Sequence, residues 1–176
     1  MLTKNPNKHY VSAFIINFFC LIITVIITWS FNVSNVSAWT GKVVGTVDGD
    51  SLKIFRPGHG EVETRLYGID APEFNQAFGR AAKKHLVSLL NRQQVEVETL
   101  DQDGYGRPVV IIWKSGLNAN EKIVRDGYAW VYRRYCKKPF CKDWLMLESN
   151  AREEELGLWQ QVQPVPPWEF RHNEVR

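Results

Sequence analysis

Residues 41–69 read GKVVGTVDGDSLKIFRPGHGEVETRLYGI, and three short β-strands can be picked out of them. From Gly41 to Asp48, Val43, Gly45 and Val47 alternate with Lys42, Val44 and Thr46, and Asp48-Gly49 follows as a hairpin turn pair. Asp50 to Arg56 alternates again, with Leu52 and Ile54 on one face. Pro57-Gly58-His59-Gly60 turns the chain. Glu61 to Ile69 gives a third strand, Val62, Thr64 and Leu66 against Glu61, Glu63 and Arg65, and Pro72 stops the sheet. Three strands in hairpin succession form a meander.

Beyond it the period changes. Phe78, Ala82, Leu86, Leu89 and Leu90 share one face of a helix over 78–90, opposite Arg80, Lys83 and Lys84. Val95 to Leu100 alternates as a fourth strand, Gly104 and Gly106 mark a turn, and Val109 to Trp113 is an apolar fifth strand. Asn118, with Glu121 three residues on, caps a short helix that Gly127 ends. A last helix runs from about Phe140 to Leu156, and the Pro-rich tail from Pro164 to Trp168 does not continue it. Five strands with a helix between the third and fourth fit an α+β fold, a five-stranded Greek-key β-barrel of the OB type with about three α-helices. Other α+β layouts share that inventory.

The flanks read differently. Residues 1–10 carry Lys4 and Lys8 and no acid, an apolar run extends from Val11 to Trp29, and Val36-Ser37-Ala38 ends the segment on small residues. A positive start, an apolar middle and a small-x-Ala end read as a secretory signal peptide cleaved after Ala38. The run is also near the length of a membrane-crossing helix, so a retained N-terminal membrane anchor is the alternative. The expected organisation is therefore a signal or anchor helix over 1–38, one domain over 39–160 and a Pro-rich tail over 161–176.

Composition narrows the function classes. A hydrophobic share of 44% with 23% charged residues excludes wholesale disorder. The 22 Lys and Arg exceed the 19 Asp and Glu by three, too little for a protein that coats nucleic acid. Lys4 and Lys8 leave with residues 1–38, so the remainder carries only +1. Cys20 leaves too, as one more apolar residue, and the remaining Cys136 and Cys141 are a possible disulfide in an oxidising compartment or two free thiols in a reducing one. One Cys-x4-Cys pair with His59, His85 and His172 scattered elsewhere does not make a zinc-ligand set.

Three short segments hold the chemistry: Asp48-Gly49-Asp50-Ser51, Arg65 to Glu73, and Asp103-Gly104-Tyr105-Gly106-Arg107. Each alone reads as a turn or a strand end. Together they place Asp50 and Asp70 at the ends of adjacent strands, where a barrel rim can bring two carboxylates and a backbone carbonyl into an all-oxygen site suited to Ca²⁺. Glu73, on a loop stiffened by Pro72, is placed to hold or deprotonate a water. Arg65 and Arg107 offer guanidinium forks for phosphate oxygens. Cations around one anionic centre are what phosphoryl transfer needs.

These segments, in this order and spacing, resemble the staphylococcal-nuclease (thermonuclease) family. The resemblance extends through Gln76-x-Phe78-Gly79-x-x-Ala82, Gly116-Leu117-Asn118 and Val124 to Ala129, and covers about Gly41 to Trp159. It implies an OB-fold barrel and a secreted or periplasmic, calcium-dependent, sugar-nonspecific endonuclease that hydrolyses DNA and RNA, single strands favoured, to 3′-phosphate products. By position, Asp50, Asp70 and the backbone carbonyl of Ala71 resemble the calcium ligands. Glu73 resembles the residue that activates or positions water, and Arg65 and Arg107 resemble the pair that stabilises the transition state. Asp48 is a turn residue beside them.

Ala71 stands where the best-known member has threonine, and Gly104 where it has a lysine. For base stacking and phosphate contact, Tyr105, Tyr132, Arg133 and Tyr135 are the candidates. Tyr128 and Trp130 read as packing residues, and Lys137, Lys138 and Lys142 as a solvated face that adds phosphate attraction. No protein partner is implied, and membrane contact only if residues 1–38 are retained. The competing functions are a non-catalytic OB-fold nucleic-acid-binding module and a membrane-anchored interaction protein, because the fold alone does not dictate activity.

Overall fold

The computed structural model describes residues 37–174. The expected signal or anchor helix and Cys20 lie outside the described residues. Among the described residues no helix is long and apolar enough to cross a membrane.

The meander forms, with shifted ends. Strand β1 (Ser37–Thr46) begins ahead of Gly41, β2 spans Ser51–Arg56 and β3 spans Gly60–Leu66. Its early start puts Ala38 inside a strand, paired with Glu98. The expected third strand does not reach Ile69. Gly68, at φ 71°, takes a turn that side-chain-bearing residues resist, and Ile69–Asp70 resumes as a separate short strand, β4. Then follow α1 (Gly79–Leu90), β5 (Gln94–Gln102), β6 (Pro108–Lys114), the two-residue β7 (Leu117–Asn118), α2 (Ala119–Arg125), β8 (Trp130–Val131) and α3 (Cys141–Glu153). A 3-10 turn over Gly157–Gln160 precedes α4 (Pro167–Glu174), a fourth helix where a Pro-rich tail was expected. Pro167 occupies the first helical position, where a missing N–H costs nothing.

Strand β1 switches neighbours along its length: residues from Ser37 to Lys42 pair with β5, and residues from Lys42 to Thr46 pair with β2 across a bulge between Val43 and Gly45. Strands β2–β3 and β5–β6 are antiparallel. A parallel contact between β3 and β6, Arg65 opposite Val109 and Leu66 opposite Val110, closes five strands into a barrel. Its interior is filled by the alternating Leu52, Ile54, Leu66, Val95, Val97, Val110 and Ile112, with Ala82, Leu86 and Leu90 of α1 packed against it. A smaller apolar cluster, Trp130, Ala151, Leu158 and Trp159, gathers beneath α4.

The buried Asn120 of α2 stitches the seam. Its Oδ1 accepts from Ile112 N at 3.1 Å, and its Nδ2 donates to Val110 O at 3.0 Å and Tyr67 O at 3.1 Å. Asn118 caps the same helix by accepting from Glu121 N.

Cys136 and Cys141 form a disulfide with Cα atoms 5.8 Å apart. It packs on the Tyr67–Gly68 turn, where a Cβ on Gly68 would meet Cys136 Sγ at 2.7 Å, and the Tyr67 hydroxyl accepts from Lys137 N. The bond closes a short loop, so the double variant Cys136→Ala/Cys141→Ala is expected to lose about 2 kcal/mol of stability. Urea unfolding measures this. An unchanged midpoint would show that packing alone holds the loop.

Candidate active site

One wall of the site begins at the turn before β2. Asp48 Oδ1 accepts from Asp50 N at 3.0 Å, an Asx turn. Gly49 lets this turn lie close against its surroundings, since a Cβ there would meet the methyls of Ala71 at 2.6 Å and Ala82 at 2.9 Å. Asp50, 3% exposed, then points inward. Its Oδ2 accepts from Ala71 N at 2.8 Å and Arg65 Nη2 at 3.0 Å, and its Oδ1 from Ser51 Oγ at 3.1 Å.

Arg65 belongs to the barrel seam, opposite Ser51 of β2 and Val109 of β6. The same Nη2 that reaches Asp50 also donates to Asp70 Oδ1 at 2.7 Å. Asp70, fully buried, sits on β4, paired with Trp130 of β8. Strand β8 is itself fixed by the buried Glu148 of α3, which accepts from Val131 N at 2.8 Å and is paired with Arg152.

Glu73 follows on the loop. Its backbone N–H donates to Gln76 Oε1 at 3.1 Å, and its carboxylate receives a side chain from the far end of the chain. Arg171 Nη1 donates to Glu73 Oε1 at 2.5 Å and Asp70 Oδ1 at 3.2 Å, while Nη2 donates to Asp70 Oδ2 at 2.8 Å.

Arg107 stands across a cleft of about 520 Å³ that Arg65, Glu73, Tyr105, Arg107, Tyr132 and Tyr135 help to line. Its Nε donates to Asp103 Oδ2 at 2.8 Å and its Nη1 to Glu63 Oε1 at 3.1 Å. Tyr105 is 89% exposed and lies under the Arg107 guanidinium, and Tyr135 is exposed beside Tyr132. Arg133 does not line this cleft. It lies on a neighbouring groove with Arg134, Arg152 and Trp168. Tyr128 stacks on His85, and Trp130 belongs to the small apolar cluster.

Burial dominates the electrostatics. It pushes Asp50 up to about 7, with Arg65 opposing and Asp48 and Asp70 adding to the rise. Burial likewise raises Asp70, against the hydrogen bond from Arg171 and the charge of Arg65. Partial desolvation works against the charge on Arg171, but its bonds to Asp70 and Glu73 outweigh it and raise its pKa.

Among the described residues no three His, Cys, Asp or Glu side chains enclose a metal-sized space. Asp50 Oδ2 and Asp70 Oδ1 nevertheless converge on a single nitrogen, so two hard anionic oxygens already face one cationic position. That donor chemistry fits a divalent cation completed by main-chain oxygen and water.

The sequence alone does not assign Arg171, Trp168, Gln76 or Glu148 to the site; Gln76 enters it only as part of the family motif and Trp168 only as the end of the Pro-rich tail. Pro166-Pro167 ahead of Trp168 carried a helix-start signal, but nothing in the sequence pointed that helix at Asp70.

The barrel and its cleft define a class: a small OB-like α+β domain whose rim gathers carboxylates and arginines from separate strands. A family model described as "Staphylococcal nuclease homologue" matches residues 63–161. The chain is 38% identical over 133 residues to an "Uncharacterized endonuclease" of Escherichia coli O157:H7, covering 75% of this chain and 84% of that protein. It is 35% identical over 149 residues to a "Micrococcal nuclease" of Shigella flexneri, covering 78% and 84%. A second "Uncharacterized endonuclease", from Haemophilus influenzae, is 34% identical over 135 residues, covering 77% and 74%. The chain belongs to the staphylococcal nuclease family.

Removing Arg65 leaves two buried carboxylates without their shared partner. With chelator present, Arg65→Gln is expected to cost about 3 kcal/mol at pH 8. The cost should shrink toward pH 5. Both carboxylates have native pKa values raised above their unfolded ones, so acid lets them take up protons and shed the unpaired charge. Denaturant unfolding at the two pH values checks this. An equal cost at both would show that Arg65 acts there by packing alone.

Proposed function

We propose that this chain is a calcium-dependent, sugar-nonspecific endonuclease that hydrolyses phosphodiester bonds of DNA and RNA to 3′-phosphate products. The observation that carries the reading is the convergence of Asp50, Asp70 and Arg65 at the edge of a cleft that also holds Glu73, Arg107 and exposed tyrosines. A module that only binds nucleic acid has no use for two carboxylates buried next to the phosphate-facing arginines, because they repel the ligand. Family membership and nuclease-named relatives support the same reading.

In this proposal Asp50, Asp70 and the Ala71 carbonyl hold the calcium ion, which when bound supplies a hard Lewis acid for the phosphate oxygens. Glu73 accepts a proton from the attacking water as its oxygen forms the new bond to phosphorus. Arg65 and Arg107 donate to the equatorial oxygens, whose negative charge grows as the P–O5′ bond breaks. The leaving 5′ oxygen departs beside Arg107 and takes up a proton from solvent water, giving a 5′-hydroxyl and a 3′-phosphate. Tyr105, Tyr132 and Tyr135 offer faces for bases of a single strand, and Arg133 adds a cation just outside the cleft. For residues 1–38 the proposal is export, with signal cleavage near Ala38 and a secreted or periplasmic enzyme; a retained membrane anchor is the alternative. A mature N-terminus at Trp39 supports cleavage, and an intact Met1 in the membrane fraction supports the anchor.

The deciding assay mixes the purified chain with single-stranded DNA in Ca²⁺ or in chelator. Calcium-stimulated cleavage is expected, and its absence removes the enzymatic reading. Glu73→Gln and Arg107→Ala should each lower kcat by about 10²-fold or more while the unfolding midpoint barely moves. Full activity in either variant would overturn the role given to that residue.

A further inference from the structure

The end of the chain reaches the site through three separate contacts. Gln76, whose carbonyl already holds Glu73 N, donates its Nε2 to Val165 O at 2.6 Å. Trp168 stacks on Tyr132, ring centroids 5.1 Å apart and planes 8° from parallel, and meets Trp130 edge-on at 6.5 Å. Arg171, just under a turn further along α4, then spans Asp70 and Glu73.

The bonds on Asp70 set up a competition. Its Oδ1 accepts from both Arg65 and Arg171, and its Oδ2 accepts from Arg171. A carboxylate oxygen offers two lone-pair positions, so guanidinium N–H groups already fill Oδ1. A divalent cation that takes Oδ1, the oxygen turned toward Asp50, must displace one of them, and its charge repels whichever guanidinium remains close. Arg65 is built into the barrel seam and also holds Asp50, whereas Arg171 rides on a terminal helix held by Trp168 against Tyr132 and Trp130 and by one side-chain hydrogen bond just ahead of it. Arg171 is the group that can leave.

We propose that Arg171 is a further residue of this site, an internal counter-cation that occupies the Asp70 and Glu73 carboxylates until a divalent cation displaces it. The inference rests on reading Asp50 and Asp70 as metal ligands. Metal binding and docking of α4 then oppose each other by the same factor in both directions. Displacement also lifts Trp168 from Tyr132, which frees the tyrosine face for a base, and it frees Glu73 from its ion pair.

The test uses the full-length chain in mild detergent, without nucleic acid. Calorimetric titration with Ca²⁺ at low salt compares wild type, Arg171→Gln and Trp168→Ala. Arg171→Gln is expected to bind Ca²⁺ about 10-fold tighter, a typical size for a coupling between two ligands. Trp168→Ala, which keeps Arg171 but loosens its helix, should shift the same way and serves where Arg171→Gln does not fold. In wild type, Ca²⁺ should also speed tryptic cleavage between Arg171 and His172, read by mass spectrometry. Equal or weaker binding in both variants, no calcium binding in any form, or a 171–172 bond equally protected with and without Ca²⁺ would each overturn the proposal. The two readings fail separately. Tighter binding in the variants without any DNA cleavage overturns the nuclease reading alone, and calcium-stimulated cleavage with unchanged affinities overturns this one alone.

Discussion

Asp50, in the turn before β2, and Asp70, on β4, reach the same guanidinium nitrogen, and both are shut away from water. A buried carboxylate without a partner is costly enough that it takes up a proton instead. Arg65 can serve both because β3 pairs with β2 on one side and with β6 on the other. Closing the barrel and assembling the charge cluster are therefore one event. A register slip of one residue on β3 would turn Arg65 away from both acids and leave them unpaired. The site also penalises misfolded pairings, since a barrel closed in the wrong register buries two carboxylates with no cation between them.

The polar groups behind the site follow the same logic. Asn120 bonds main-chain groups on both sides of the seam, sharing Val110 O with the N–H of Tyr67. Glu148 satisfies Val131 N on β8 and so fixes the strand that pairs with Asp70. Gln76 ties the Glu73 loop to Val165. Each side chain bonds main-chain groups that lie next to a charged residue of the site or on a strand paired with one.

Legibility in the sequence followed the range of the interaction. The barrel strands, α1 and the Asn118 cap were readable because alternation, helical spacing and capping are local patterns. The approach of Asp50, Arg65 and Asp70 was readable from motif spacing, since consecutive strands of a meander bring their ends together. The break at Tyr67–Gly68 leaves only a faint mark in the sequence, where Ile69 falls on the face of Glu61, Glu63 and Arg65, and it is the pairing with Val131 that sets β4 apart. Arg171 was illegible for a different reason. Its partners lie about a hundred residues away, and the contact depends on Trp168 finding Tyr132. Arg133 looked like Tyr132 and Tyr135 in sequence, but it faces the neighbouring groove.

Bulk charge gives this molecule little hold on a polyanion, because residues from Trp39 onward carry only +1. Nor is the cleft strongly positive. Arg65, Arg107 and Arg171 line it together with Glu73, Asp101 and Asp103, and Arg107 is already bonded to Asp103 and Glu63. A phosphate entering such a near-neutral cleft meets paired arginines and gains little. In the proposed reading, a divalent cation beside Asp50 and Asp70 offsets the carboxylates that would otherwise repel a phosphate, without moving the barrel. The exposed Arg133, Arg134, Lys137 and Lys138 can capture a strand at long range, where screening limits them to a weak, salt-dependent pull. In the proposed reaction, commitment at the scissile phosphate depends on that cation, so binding along the rim and reaction at the seam would be controlled by different charges.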